Sequence, residues 1–148
     1  MNEYIGGIQY EQGVLKYLQI SEGRVVRNSA TDYKYEYALA DHLGNGRLYF
    51  DINGNQARKI QETNYYPFGL DMQVSLIGTE HEYQYNGKEK QEQLKMLDYD
   101  TRFYDPVIGR WNMVDPMSEF DRKTTPYAYA FNNPILFIDP DGMFGDFY

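Results

Sequence analysis

Residues 33–55, YKYEYALADHLGNGRLYFDINGN, contain the pattern that decides the fold. In the first five residues tyrosine alternates with lysine and glutamate, which is the period of a strand with one aromatic and one charged face. A turn rich in Gly and Asn follows, and residues 47–52 form a second strand-like run. Asn53-Gly54 is typical of a tight hairpin, because both residues tolerate positive φ. The stretch therefore predicts antiparallel strands joined by short turns.

The same texture extends in both directions along the chain. Residues 4–27 predict three strands separated by Gly-containing turns, and residues 56–66 can return antiparallel to the strand before them. Residues 88–96, rich in Lys, Glu and Gln, fit either a short helix or a charged hairpin. From Asp115 onward Pro, Asp and Asn dominate, which favours turns and one-turn helices. This recurrence indicates a repeat array whose last unit caps the stack.

Two shorter segments carry specific expectations. Residues 98–104 predict a single strand, because they follow the same aromatic pattern as the strands before them. Residues 135–138 are wholly apolar, and such a short run bounded by turn residues predicts a buried segment.

The composition limits the classes of function. Tyrosine supplies 16 of the 148 residues, and its ring suits a pleated sheet. The net charge of −8 argues against broad binding to nucleic acid or anionic lipid. The chain contains neither an apolar run of roughly 20 residues nor the basic start of a secretory signal, so we expect it to be cytoplasmic if expressed alone. Without cysteine, and with only two histidines, we expect no metal and no cofactor.

Several short motifs follow one another in a characteristic order. They are the Asp-His-Leu-Gly-Asn stretch within residues 41–48, the Tyr-Pro-Phe-Gly stretch within 65–70, residues 83–89, 102–111 and 114–116, and the terminal elements at 126–129, 132–135 and 138–142. In this order they resemble the RHS repeat-associated core domain of YD-repeat polymorphic toxins, in the style of Bacteroidetes-like bacteria. The strong part of the match covers residues 33–143.

The resemblance implies a mainly β fold: a curved, open antiparallel sheet of YD-type hairpins with a short, turn- and helix-rich C-terminal cap. It divides the chain into repeat-like hairpins at residues 1–32, YD-type repeats at 33–97, the core or cap at 98–143 and a residual tail at 144–148. In this family the sheet spirals into a shell that encloses a toxin, and the core closes one end. Intact relatives are secreted or attached to the cell surface, and they have a toxin cargo and an immunity protein as partners.

The resemblance also implies a site of self-cleavage. In many members two aspartates cut the chain just after an Asp-Pro-x-Gly-Leu motif. Carried onto this sequence, the acids are Asp115 and Asp139, and the scissile bond is Met143–Phe144. Two carboxylates held close together share a proton, so one can activate water while the other polarises the peptide carbonyl.

Four further residues are assigned supporting roles. Pro116 and Pro140 restrict the backbone next to each aspartate. Gly142 lets the chain bend at the cut without a Cβ clash. Arg110 orients a carboxylate near the pair, makes a structural ion pair or stacks on Trp111.

Three functions stay open at this stage. The first is a structural shell and cap segment, a remnant or cassette without its toxin, because only five residues follow Met143. The second is self-cleavage, with no activity on other proteins. The third is a carbohydrate- or partner-binding surface built on the tyrosine ladders. Asp-Pro and Asp-Gly are also common turn formers without any catalysis. We expect upstream repeats or self-association to cover the open strand edges.

Overall fold

The first half of the chain is one antiparallel sheet of eight strands that follow one another in sequence order. The structure, a computed structural model, describes residues 2–5, 7–91, 93–120, 123–143 and 145–147. The strands are β1 (Asn2–Ile5), β2 (Ile8–Glu11), β3 (Val14–Ile20), β4 (Gly23–Arg27), β5 (Tyr33–Ala40), β6 (Gly46–Asn53), β7 (Gln56–Tyr65) and β8 (Asp71–Leu76). Each pairs with the next, so β1 and β8 are the edges. The predicted fold class, mainly β with an open antiparallel sheet, is confirmed.

The second half contains two small sheets and two single-turn 3₁₀ helices, which together we call the cap. Its strands are β9 (Glu89–Gln91), β10 (Met96–Asp98), β11 (Phe103–Asp105), β12 (Arg110–Trp111), β13 (Phe137–Ile138) and β14 (Asp146–Phe147). The order is β12-β11-β10-β9 in one sheet and β13-β14 in the other. The 3₁₀ turns are Tyr85–Gly87 and Ala130–Asn132.

Local pattern and structure differ at two places in the cap. The strand predicted for residues 98–104 is wrong, because the chain bends at Asp100, where φ is +70°, and divides into β10 and β11. The buried run predicted for residues 135–138 is also wrong, since Ile135 and Leu136 are 63% and 50% exposed. Both lie in a turn closed by hydrogen bonds to the Asn133 carbonyl, which directs them to solvent.

For residues 88–96 the hairpin alternative is correct. Strands β9 and β10 pair antiparallel, with Gln91 opposite Met96. The charged residues of this segment therefore lie around a hairpin and not along a helix.

The principal hydrophobic core lies in the cap and is built from aromatic rings. Tyr85, Tyr99, Tyr104, Trp111 and Tyr129 are each at most 2% exposed. The rings of Tyr104 and Tyr129 lie 4.2 Å apart, and Tyr99 meets Trp111 edge-on at 5.1 Å. Such tilted and edge-on contacts add to the stabilisation from burial.

The tyrosine hydroxyls of this core tie it to the turn between β7 and β8. The Tyr85 hydroxyl donates to the Pro67 carbonyl, and the Tyr104 hydroxyl donates to the Phe68 carbonyl, both at 2.8 Å. Buried hydroxyls need such partners, because an unpaired one would carry a desolvation cost. The cap is thus fixed to the large sheet by hydrogen bonds as well as by packing.

Candidate functional site

The two aspartates singled out by sequence approach a single guanidinium group, that of Arg102. Its Nη2 lies 3.0 Å from Oδ2 of Asp115 and 3.6 Å from Oδ2 of Asp139. Its Nε donates to the Gly142 carbonyl at 2.5 Å, and its guanidinium carbon lies 4.3 Å from the centre of the Trp111 ring. Arg102 is 2% exposed, so a buried cation is compensated by two carboxylates.

Each aspartate uses its other carboxylate oxygen to close a turn. Oδ1 of Asp115 accepts the backbone N–H of Met117 at 2.7 Å. Oδ1 of Asp139 accepts the N–H groups of Gly142 and Met143 at 2.8 and 3.1 Å. This is the ordinary role of aspartate in a turn. In each aspartate Oδ1 closes a turn while Oδ2 faces Arg102, so closing the turn does not prevent the residue from taking part in the site.

The two carboxylates differ in their environment. Asp139 is 3% exposed, whereas the Asp115 side chain is 22% exposed. Burial raises the pKa of Asp139 above its usual value, and the N–H of Gly142 and the charge of Arg102 oppose this only in part. A hollow of about 40 Å³ lies between the two aspartates and Met143, which is room for roughly one water molecule.

One side of this hollow is formed by a backbone segment in the left-handed conformation. Ala130, Phe131 and Asn132 have φ of 45°, 52° and 59°, and the first two line the hollow. A left-handed conformation costs an L-residue about 1–2 kcal/mol. Ala130 is 3% exposed in the tyrosine core, so packing holds this strained turn in place.

The assigned supporting residues occupy different positions. Gly142 has a φ of +75°, and a Cβ there would lie 3.2 Å from both the Tyr99 carbonyl oxygen and the Arg102 backbone nitrogen. Pro116 and Pro140 are exposed next to their aspartates. Their roles remain predictions.

Arg110 does not lie against the aspartate pair. It is exposed on β12, and its backbone pairs with Asp105 and bridges to Ala128. The guanidinium that contacts both carboxylates and stacks on Trp111 belongs to Arg102, which sequence reasoning missed. The only signal for it was its place at the start of the motif at residues 102–111.

The predicted scissile bond is described on one side only. Met143 lines the hollow and donates its N–H to Asp139, as well as to Oδ1 of Asp141 at 3.0 Å. Phe144 lies outside the described residues. The assignment of the cut to this bond is therefore a prediction.

An open antiparallel meander sheet followed by an aromatic-packed cap is a fold that also occurs within Tc toxin structures. In the crystal structure of TcdB2-TccC3-Cdc42, a matching segment has a TM-score of 0.74, with 23% identity over 96% of this chain and 8% of that one. In the Photorhabdus luminescens Tc holotoxin pore the TM-score is 0.72, with 24% identity over 96% of this chain and 7% of that one. At such identities the likeness establishes the fold.

Sequence relatives include toxin subunits. The chain is 29% identical to toxin subunit YenC1 of Yersinia entomophaga over 88% of its own length and 13% of that protein. It is 35% identical to salivary gland surface protein 1 of Aedes aegypti over 74% of its length and 3% of that protein. The chain thus spans a small part of the curated relatives it matches. No protein-family model matches it. Across the described residues, no helix combines the length and apolar character that crossing a membrane requires.

Proposed function

We propose that this chain is a wall and cap segment of an RHS-type shell that encloses a toxin. The observation that carries the proposal is the sheet order: eight strands in sequence order form a wall that is open at β1 and β8, and a tyrosine-packed cap follows it in the chain. A wall of this kind can be extended by earlier repeats that pair with β1. The similarity to YenC1 over 88% of this chain supports the same assignment.

A chimera tests the proposal directly. This chain would replace the matching segment of YenC1, and the chimera would be compared with its parent by negative-stain electron microscopy and limited proteolysis. A wall segment should give particles of the parent's size and the parent's digestion pattern. A control chimera would carry the same segment with its sequence scrambled. If the chimera is digested as fast as the scrambled control, the wall assignment is wrong.

A second function, self-cleavage, is favoured by the position of Met143. The residue before the predicted cut donates its N–H to Asp139, while Arg102 brings the Asp115 carboxylate to the same hollow. Burial favours the protonated form of Asp139, which makes this residue the proton donor. Asp115, partly exposed and ion-paired, is the carboxylate that accepts a proton.

The hydrolytic step then balances as follows. A water oxygen attacks the Met143 carbonyl carbon and loses a proton to Asp115, while Asp139 gives its proton to the carbonyl oxygen. Collapse of the tetrahedral intermediate breaks the bond to the nitrogen of Phe144, and the proton held by Asp115 passes to that nitrogen. Proton transfer from the intermediate's hydroxyl back to Asp139 leaves a new carboxyl group on Met143 and a free amine on Phe144.

Intact-mass spectrometry of the purified chain tests this second function. Cleavage would remove the 144–148 peptide, and Asp139→Asn and Asp115→Asn should each prevent the loss. The matched control is Asp105→Asn, because Asp105 also caps a turn, through the Val107 N–H at 2.9 Å, but lies on the β11–β12 hairpin away from the pair. An intact mass for the wild type after incubation at both neutral and acid pH would exclude self-cleavage.

A further inference from the structure

One face of the large sheet is crossed by residues 77–84, which we call the strap. Side-chain contacts hold it to three different strands. The His81 ring stacks on the Tyr49 ring of β6 with centroids 4.1 Å apart. The backbone N–H of His81 donates to Oε1 of Gln61 in β7 at 2.7 Å. The Tyr49 hydroxyl donates to the Tyr83 carbonyl at 2.5 Å, and the Tyr17 hydroxyl of β3 donates to Glu82 at 2.6 Å.

The His81 ring is buried in a way that suits only its neutral form. His81 is 2% exposed, and within the described part of the chain neither ring nitrogen has a hydrogen-bond partner. An imidazolium has two N–H donors, and burying it without an acceptor is costly. The Tyr49 ring stacks on the face of the imidazole, whereas the N–H groups point outward in the plane of the imidazole. The Tyr49 ring therefore cannot accept a hydrogen bond from them.

The charged groups around the ring offer an imidazolium little compensation. The titratable or charged side chains around the ring and the cavity beside it are Lys16 and Tyr17 of β3, Arg24 of β4, Tyr49 of β6, Glu80, Glu82 and Tyr83 of the strap, Lys90 of β9 and Lys95 of the following turn. Glu82 is already bound by Lys16 at 2.7 Å and by Tyr17. Glu80 accepts from Gln84 at 2.8 Å. Burial, followed by the charge of Arg24, lowers the pKa of His81 to about 3, and the nearby Tyr83 backbone opposes this shift only in part.

We propose that the strap is an acid-sensitive latch, in which protonation of His81 detaches residues 77–84 from the large sheet. Detachment would uncover the sheet face under the strap. It would also widen the adjoining cavity of about 640 Å³, to which residues 77–79 contribute one side. The latch is independent of the shell assignment and of self-cleavage, because it depends only on contacts within this chain.

The size of the effect follows from proton linkage. The closed strap keeps His81 neutral, whereas in the open strap the ring regains an ordinary pKa of about 6.5. Because the closed-state pKa is depressed, His81 contributes its full stabilisation above about pH 6.5 and loses it progressively as the pH falls toward 3. Between pH 7.5 and pH 5.0 the open fraction should rise about thirtyfold. Carboxylates with ordinary pKa values near 4 stay mostly ionised at pH 5.0.

Hydrogen exchange of the whole chain at pH 7.5 and pH 5.0, corrected for the intrinsic pH dependence of exchange, measures this opening. We expect protection of the strap amides to fall about thirtyfold at pH 5.0 while the β6–β7 ladder keeps its protection. His81→Phe retains a ring against Tyr49 but cannot titrate, so its strap protection should not depend on pH. The matched control is His42→Gln, which alters the other histidine, an exposed one, and should behave as the wild type.

Three results would overturn the latch. The first is equal strap protection at both pH values in the wild type, and the second is an unchanged pH response in His81→Phe. The third is a uniform loss of protection over the whole chain, which would mean global unfolding. Should His81→Phe fail to fold, an NMR titration of the wild-type rings still decides the matter. A His81 ring that titrates near 6.5 while the strap stays protected would contradict the proposal.

Discussion

Replacing Gly69 by alanine should loosen the attachment of the cap to the large sheet. Gly69 closes the turn after β7, where its N–H donates to the Tyr66 carbonyl at 2.8 Å and its φ is +84°. A Cβ at this position would lie 2.7 Å from Cδ1 of the Tyr85 ring. That ring is 2% exposed and is anchored by its hydroxyl to the Pro67 carbonyl, so it cannot move aside freely.

Two costs add at this position. An L-residue in the left-handed region costs about 1–2 kcal/mol, and forcing an extra methyl group into a packed core costs about 1–3 kcal/mol. We therefore expect Gly69→Ala to lower the free energy of unfolding by about 2–5 kcal/mol. Urea unfolding followed by the fluorescence of Trp111, the single tryptophan, measures this change.

Gly54→Ala separates the two costs. Gly54 has a φ of +64°, but nothing lies within 4 Å of the position its Cβ would take. This variant should lose only the conformational part, about 1–2 kcal/mol. If the two variants are destabilised equally, within about 0.5 kcal/mol, the contact with Tyr85 does not fix the turn and the reasoning is refuted.

Three further predictions concern the cap. Arg102→Met should cost about 3–5 kcal/mol in urea unfolding, because it removes the buried cation shared by Asp115 and Asp139. It should also shift the emission of Trp111, and an unchanged midpoint would contradict the bridging role. Tyr129→Phe removes a hydroxyl that donates to Oδ1 of Asn86 at 2.7 Å and should cost about 1 kcal/mol, measured by the same unfolding assay. Because the native pKa of Asp139 is raised, the native state holds a proton that the unfolded chain releases. The stability of the wild type relative to Asp139→Asn should thus fall as the pH rises above the ordinary aspartate pKa of about 4. Parallel pH–stability curves for the two proteins would disprove this prediction.

Strands β5 to β7 of the wall could be predicted because their signals are local. Alternation over residues 33–37 and the Asn53-Gly54 turn lie within a few positions of the structure they produce, and β5 to β7 follow them closely. Strand β8, by contrast, was not identified. Residues Asp71–Leu76 do alternate between polar and apolar, but the apolar members Met72, Val74 and Leu76 are 50%, 51% and 39% exposed, so the alternation does not mark a buried face.

The cap core could not be predicted from local pattern. Its rings come from positions spread over residues 85–129, and which tyrosines are buried depends on long-range packing. Tyr33 and Tyr35, which carry the clearest alternation in the sequence, are about half exposed at 49% and 55%. Tyr99, in the segment wrongly predicted to be a single strand, and Tyr129, in the turn-rich region after Asp115, are fully buried. Periodicity therefore located strands but not the core.

The candidate site could be predicted only in part, because a motif identifies single residues but not their long-range contacts. Motif resemblance selected Asp115 and Asp139, because each stands in a short Asp-Pro unit. Choosing the correct arginine required the register of the β11–β12 hairpin, which pairs Arg110 with Asp105 near the exposed tip. Arg102 instead precedes β11 and reaches inward to the Gly142 carbonyl.

The packing around Gly142 determines which variants can report on cleavage. Gly142 is buried in a left-handed conformation against Tyr99 and Arg102, so Gly142→Ala would disturb the core whether or not the chain cuts itself. Loss of cleavage in that variant would carry no chemical information. Asp139→Asn keeps an oxygen that can accept the Gly142 and Met143 N–H groups, but it removes both the group that transfers a proton and the negative charge 3.6 Å from Nη2 of Arg102. Only a loss of cleavage in Asp139→Asn at an unchanged unfolding midpoint would therefore assign the chemistry to the carboxylates.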